Sequence, residues 1–169
     1  MIKAHASQVR KVDDSPYVVH PITVALTVAK YGFSETVIAA ALVHDVLEDT
    51  NYPEPQLRDE LGDNILQIVL SLTENKSQVW EERKTKYIET IRNASTEVKA
   101  VSIADKIHNL NSILTGYNQL GFVIWEKFTR GREQQQWFAT QILTSYNHNW
   151  HHQLVDEYAT LLEQMQRLA

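Results

Sequence analysis

The stretch AALVHDVLEDT (40–50) carries four ionisable side chains, His44, Asp45, Glu48 and Asp49, at the end of an otherwise apolar run. At helical spacing Val37, Ala40, Ala41, His44 and Glu48 share one stripe, and Asp45 and Asp49 share the next. Buried charge is costly unless it is paired or holds a metal. One reading is a helix end that reaches water with solvated carboxylates; the other is the wall of a polar site. Two further places favour the second. His20 stands immediately before Pro21, with Val24 and Val28 continuing its stripe. Asp105 lies in SIADKIHNL (102–110), after Val98, Val101 and Ser102 on one face and one turn before Asn109. Each of these alone fits an ordinary structural role. Together His20, His44, Asp45 and Asp105 offer two imidazoles and two carboxylates from three segments, with no sulfur. That donor set suits a borderline divalent ion, Mn2+, Fe2+ or Zn2+, better than an all-oxygen Ca2+ cage. It also leaves coordination positions for a water and a substrate oxygen, the requirement of metal-assisted hydrolysis.

The elements that must position these residues are helical. Apolar spacing follows the helical period nearly throughout, and with 5 Gly and 4 Pro in 169 residues the chain lacks the turns of an all-β fold. The spacing predicts helices over 2–11, 21–31, 35–48, from 55 to the break at Gly62, 63–72, 80–93, 96–115, 131–146 and 149–167. Gly116 to Gly121 reads as a connection. The expectation is an all-α bundle of about seven to nine short helices forming a single domain over 1–169. The absence of cysteine removes disulfides, thiolate metal sites and a cysteine nucleophile. No GxGxxG or P-loop is present. A net charge of -5 makes nucleic acid a poor partner, and the apolar run at 37–43 is far too short to span a bilayer. The N-terminus lacks an apolar signal segment, so the expected location is the cytoplasm.

The order His, His-Asp, Asp on helices resembles the HD superfamily of metal-dependent phosphohydrolases. SQVRKVDDSPYVVHPITVA (7–25), AALVHDVLEDT and SIADKIHNL resemble the signature blocks of RelA/SpoT-type alarmone hydrolase domains, and TENK (73–76) resembles a short block between them. The resemblance is strongest over 4–115, with 116–169 read as additional helices. It implies an HD-type fold, a stand-alone small hydrolase, and removal of pyrophosphate from the 3′ position of (p)ppGpp to give GDP or GTP with Mn2+. Carried over by position, it implies His20, His44, Asp45 and Asp105 as metal ligands and Glu48 and Asp49 as the pair that handles the attacking water. Arg10, Lys11, Lys76 and Asn109 match substrate-binding positions. The implied partner is a small-molecule nucleotide. Two departures bear on substrate contacts: Asn111 stands where the family often has Arg, and the loop at 12–15 lacks the common glycine. The alternatives are an HD phosphohydrolase acting on another nucleotide or phosphorylated metabolite, and a catalytically silent nucleotide-binding module.

Two features lie outside the resemblance. The histidine-rich run His148, Asn149, Trp150, His151, His152 has no carboxylate or cysteine neighbours and reads as surface or interface. The apolar stripe of the last helix, with Leu154, Val155, Tyr158, Leu161, Leu162, Met165 and Leu168, reads as packing on its own core, with pairing in a homodimer as the second choice.

Overall fold

A computed structural model describes residues 1–168 and is all-α. Its helices are α1 (Val19–Lys30), α2 (Glu35–Val43), α3 (Val46–Asp49), α4 (Glu54–Leu61), α5 (Asp63–Leu72), α6 (Trp80–Asn93), α7 (Thr96–Leu120), α8 (Gly131–Asn147) and α9 (Gln153–Gln166), with a 3-10 helix, Gly121–Lys127, between α7 and α8. The longest helix, α7, is the hub. It packs against α1, α2, α5, α6, α9 and the 3-10 helix, and Ala100, Val101, Ile103 and Ala104 along it are fully buried. Its start is capped by Ser95, whose side chain accepts from the Val98 N–H. Among the described residues no helix is long and apolar enough to cross a membrane.

Four expectations are corrected. Residues 2–11 form turns instead of a helix. The chain doubles back, with Val9 bridged antiparallel to Pro16, the Tyr17 N–H donating to Gln8 O and the Arg10 N–H to Ser15 O. The turn between them takes Asp14 to φ 56°, the left-handed region that glycine occupies at little cost. The segment expected as one helix over 35–48 is two, interrupted at His44 and Asp45, where Asp45 drifts to φ -95°, ψ -5°. Residues adjacent on a regular helix point about 100° apart, so the break lets both side chains turn to one side.

The third correction concerns Gly116, which does not end α7. A Cβ there would lie 2.5 Å from Val12 Cγ1 and 2.8 Å from Ile124 Cδ1, so the glycine serves close packing within a continuing helix. Lastly, α9 begins at Gln153, after a packed junction. Trp150 is buried, and His152 stacks on it at 5.1 Å and accepts the Leu154 N–H at the helix start, while His148 and His151 remain exposed. The α9 stripe is spent inside the chain. Leu154, Val155, Tyr158, Leu162 and Met165 are buried against α7 and α8, so the stripe is no free face for homodimer pairing.

Candidate metal centre and cavity

His20 opens α1, His44 and Asp45 sit at the α2–α3 break, and Asp105 projects from the middle of α7. Because α1 packs on α2 and on α7, these ends meet. Ligand atoms of His20, His44 and Asp105 all lie within 4.8 Å of one another, and the three residues are buried. Asp45 joins them: its Oδ2 is 3.4 Å from His20 Nε2 and 3.2 Å from His44 Nε2, while Asp105 Oδ1 is 3.2 Å from His20 Nε2.

The donor chemistry of this group fits a divalent ion. His44 Nδ1 pairs with the Ala41 carbonyl at 2.8 Å, which places the proton on Nδ1 and leaves Nε2 as a lone pair. That Nε2 is buried and has no hydrogen-bond partner. An orphaned buried acceptor facing two carboxylates and a second imidazole is otherwise unfavourable.

His20 is held from behind by His108, Nδ1 to Nδ1 at 2.8 Å. Burial, then the charges of His20 and Arg10, pushes His108 down to about 4, so it is neutral near pH 7 and can accept from His20. Burial also disfavours charge on His20 itself, but bonding to Asp105 and Asp45 outweighs it and raises that ring above the ordinary histidine value.

Tyr17 bridges the group to its acidic edge. Its hydroxyl lies 2.5 Å from Asp45 Oδ2 and 2.9 Å from Asp49 Oδ2, and burial plus those two carboxylates push its ionisation far up, so it remains a donor. Asp49 forms an ion pair with Lys76. Glu48 Oε2 accepts the Glu74 N–H at 2.9 Å, while its Oε1 faces Lys76 at 3.8 Å. Burial raises Glu48 to about 7; the Glu74 N–H opposes this, and the neighbouring Glu74 and Asp45 carboxylates reinforce it. On the other side, the Arg10 guanidinium donates to Asn109 Oδ1 at 2.9 Å and lies 3.4 Å from Ser112 Oγ. Asn109 in turn donates to Asp105 Oδ1 at 2.5 Å.

Except for Ala41 and His108, these residues line one cavity of about 490 Å3. Every residue that the sequence pointed to as a metal, catalytic or substrate-binding residue lines it: Arg10, Lys11, His20, His44, Asp45, Glu48, Asp49, Lys76, Asp105 and Asn109. The departure at position 111 does not reach it, for Asn111 is exposed and is not part of the wall, whereas Val12 from the glycine-free loop is. The last two helices also contribute, through Gln135, Phe138, Ala139, Tyr158 and Met165.

Sequence reasoning missed Tyr17, Glu74, Lys84, Lys106 and His108. His108 had a signal, standing one turn beyond Asp105 on the same helix, and Glu74 lies within TENK. Lys84 had none, because a lysine in a polar helix reads as solvated.

A family model described as "HD domain" matches residues 1–134. The MESH1 guanosine-3′,5′-bis(diphosphate) 3′-pyrophosphohydrolase of Drosophila melanogaster is 34% identical over 133 residues, 73% of this chain and 74% of that protein. The guanosine-3′,5′-bis(diphosphate) 3′-pyrophosphohydrolase of Haemophilus influenzae is 31% identical over 116 residues, 65% of this chain but 17% of the relative's length. The match likewise spans 57% of the MESH1 protein of Danio rerio, at 35% identity over 60% of this chain. Among solved structures, a Listeria monocytogenes EGD-e protein superposes with a TM-score of 0.81 at 36% identity, covering 86% of this chain and 97% of its own. A metazoan ortholog of SpoT described as hydrolysing ppGpp superposes with a TM-score of 0.83 at 26% identity, covering 99% and 92%.

Proposed function

The chain belongs to the HD domain family, and from that premise we propose that it is a metal-dependent pyrophosphohydrolase of guanosine 3′,5′-bis(diphosphate), releasing pyrophosphate from the 3′ position to leave GDP, or GTP from the pentaphosphate. The observation that carries this reading is the buried, unpartnered His44 Nε2, grouped with His20, Asp45 and Asp105 on a cavity that also displays Arg10, Lys11 and Lys76. A divalent cation beside a cluster of fixed cations is the environment a phosphorylated anion requires. The volume suits a nucleotide-sized ligand.

His20, His44, Asp45 and Asp105 would hold the ion, with Mn2+ as our choice. Bound there, it would polarise a phosphoryl oxygen and make water acidic enough to attack near neutral pH. Glu48 is the base. Its Oε2 is engaged by the Glu74 N–H, so Oε1 receives the proton, and its burial favours taking one up. The water oxygen bonds to the 3′ phosphorus, the bond from that phosphorus to O3′ breaks, and O3′ takes up a proton. Asp49, tied to Tyr17 and Lys76, fixes the edge on which Glu48 sits. Arg10 is pre-set by Asn109 and Ser112 to fork a phosphate or stack on the purine, with Lys11 adding a point charge. Residues 1–169 act as one such unit, with α8 and α9 closing the back of the cavity.

The test is incubation of the Mn2+-loaded chain with ppGpp, pppGpp, GTP and GDP, following pyrophosphate and orthophosphate separately. The expected result is intact pyrophosphate and GDP from ppGpp, with GTP turned over more slowly by orders of magnitude, since a misplacement of about 1 Å can cost roughly 10²-fold. Comparable rates on ppGpp and GTP replace this reading with a broader phosphohydrolase. Nucleotide binding without turnover replaces it with a silent binding module.

A further inference from the structure

His5 is 1% exposed, and its ring stacks on that of Tyr17 with centres 4.8 Å apart and planes at 27°. The Gln8 N–H donates to the His5 carbonyl at 3.0 Å, a single turn that brings the two side chains together. From there a chain of hydrogen bonds runs to α3. His5 Nδ1 lies 2.6 Å from Gln8 Oε1, and Gln8 Nε2 donates to the Asp49 carbonyl at 2.6 Å. A backbone carbonyl only accepts, so the Gln8 amide turns its nitrogen to Asp49 and its oxygen to His5. His5 then carries its ring proton on Nδ1, and its Nε2 is buried with no hydrogen-bond partner. Neither His5 nor Gln8 lines the cavity.

Asp49 needs this support. The helix that carries it, α3, has only four residues, and the chain leaves it extended at Thr50, φ -136°, ψ 172°. The last four carbonyls of a helix have no partner inside it, and Gln8 supplies one for Asp49. The same glutamine holds Tyr17, whose N–H donates to Gln8 O at 2.9 Å, and the Tyr17 hydroxyl lies 2.9 Å from Asp49 Oδ2. Gln8, Tyr17 and Asp49 thus close a ring of three hydrogen bonds that grips Asp49 by both its carbonyl and its carboxylate. Lys76 pairs with the same carboxylate from an exposed side chain, a looser hold.

We propose that His5 and Gln8 are positioning residues of the acidic edge. From outside the cavity they fix the Glu48–Asp49 peptide, and through it the Glu48 carboxylate that accepts the Glu74 N–H. His5 serves both arms at once: its ring proton orients the Gln8 amide, and its face supports the Tyr17 ring. The effect on turnover rests on the phosphohydrolase reading; the hold on Glu48 does not.

Gln8→Met keeps the length of the side chain and removes both amide groups, and two measurements on the full chain read the result. Amide hydrogen exchange at Glu74 reports the Glu48 contact and needs no substrate. It is expected to quicken at least about tenfold in Gln8→Met, with the buried amides of α7 unchanged as the control for folding. With ppGpp and Mn2+, kcat is expected to fall at least about tenfold with KM little altered, since a misplacement of about 1 Å can cost roughly 10²-fold. His5→Asn, whose amide can place a donor near Nδ1, should keep more of kcat than His5→Leu. If Gln8→Met fails to fold by circular dichroism, Gln8→Glu, which keeps the acceptor for His5 and loses the donor to Asp49, makes the same comparison. Parent-like exchange at Glu74 in a folded variant, or parent-like kcat, overturns the positioning role; a merely structural contact lowers the melting temperature and moves neither. Equal kcat in His5→Leu and the parent removes His5 from the pair. The two readings fail separately. Quickened exchange at Glu74 in a chain that leaves ppGpp intact keeps the hold on Glu48 and removes the function. Hydrolysis of ppGpp with parent-like exchange in Gln8→Met does the reverse.

Discussion

His20 and His108 meet Nδ1 to Nδ1 at 2.8 Å, so the imidazole that faces Asp45 and Asp105 is braced by a second imidazole on α7. For Nε2 of His20 to act as a ligand its proton must sit on Nδ1, and a neutral His108 accepts it there. His108→Ala should therefore weaken metal binding by about 10–100-fold, the usual cost of losing such a partner. Isothermal titration with Mn2+ measures it. An unchanged affinity would show that the contact orients nothing.

Metal binding should also be visible as stability, because an ion held only by the folded chain stabilises it by mass action. At metal about 100-fold above the dissociation constant the gain is about 2.7 kcal/mol. Thermal melts with Mn2+ and with chelator should separate for the parent chain and coincide for His44→Ala. A His44→Ala protein that still gains stability from Mn2+ would remove His44 from the ligand set.

Glu48 gives the metal-free chain a pH-dependent stability. Its folded value of about 7 stands above the ordinary 4.5, so the folded state binds the extra proton. Stability is then fully present below about 4.5 and is lost as pH rises through 7. Glu48→Gln removes the ionisation while keeping an acceptor for the Glu74 N–H. The variant should gain on the parent between pH 4.5 and 8, with about 3 kcal/mol as an upper bound at 1.36 kcal/mol per unit. Urea unfolding at the two pH values checks the sign. In the loaded enzyme the same change should lower kcat with KM little altered.

Arg10 should act on binding instead. Its guanidinium is oriented by Asn109 and Ser112 at the cavity wall and touches none of the metal group directly. Arg10→Ala is expected to raise KM by roughly tenfold or more, the worth of a charged hydrogen bond, with a smaller change in kcat. Steady-state kinetics on ppGpp decides. A fall in kcat at constant KM would exchange the roles assigned to Arg10 and Glu48.

Asp14, which is not part of the cavity wall, offers a stability test in the loop at 12–15. Asp14 holds φ 56° without the freedom of glycine, and the Asp13 side chain closes the turn by accepting from Ser15 N–H and Oγ. Asp14→Gly should relieve the strain of the left-handed residue, about 1 kcal/mol, less what glycine loses in the unfolded chain. Denaturant unfolding should show a small gain. A loss would mean that the Asp14 side chain itself stabilises the turn.

The polar residues of 40–50 and 102–110 stood out in the sequence because a helix repeats its faces every three to four residues, whereas Arg10, Lys11 and Lys76 were singled out by resemblance alone. That period lined up His44 with Glu48, Asp45 with Asp49 and Asp105 with Asn109, and the scarcity of glycine and proline fixed the all-α class. Tertiary structure alone decided what these groups meet. The break at His44 and Asp45 interrupts the period that a single helix over 35–48 would keep. Within the continuing α7, position 116 has no room for a side chain because Val12, remote in sequence, and Ile124 fill that space. Tyr17 and the Lys84–Lys106 pair became visible only when the helices closed around one cavity, and that His108 braces His20 became visible only in the packing of α7 on α1. Periodicity records which side of a helix a residue occupies. Charge balance, bracing hydrogen bonds and a shared ion site are properties of several helices at once, and they arise only from the packing that brings those helices together.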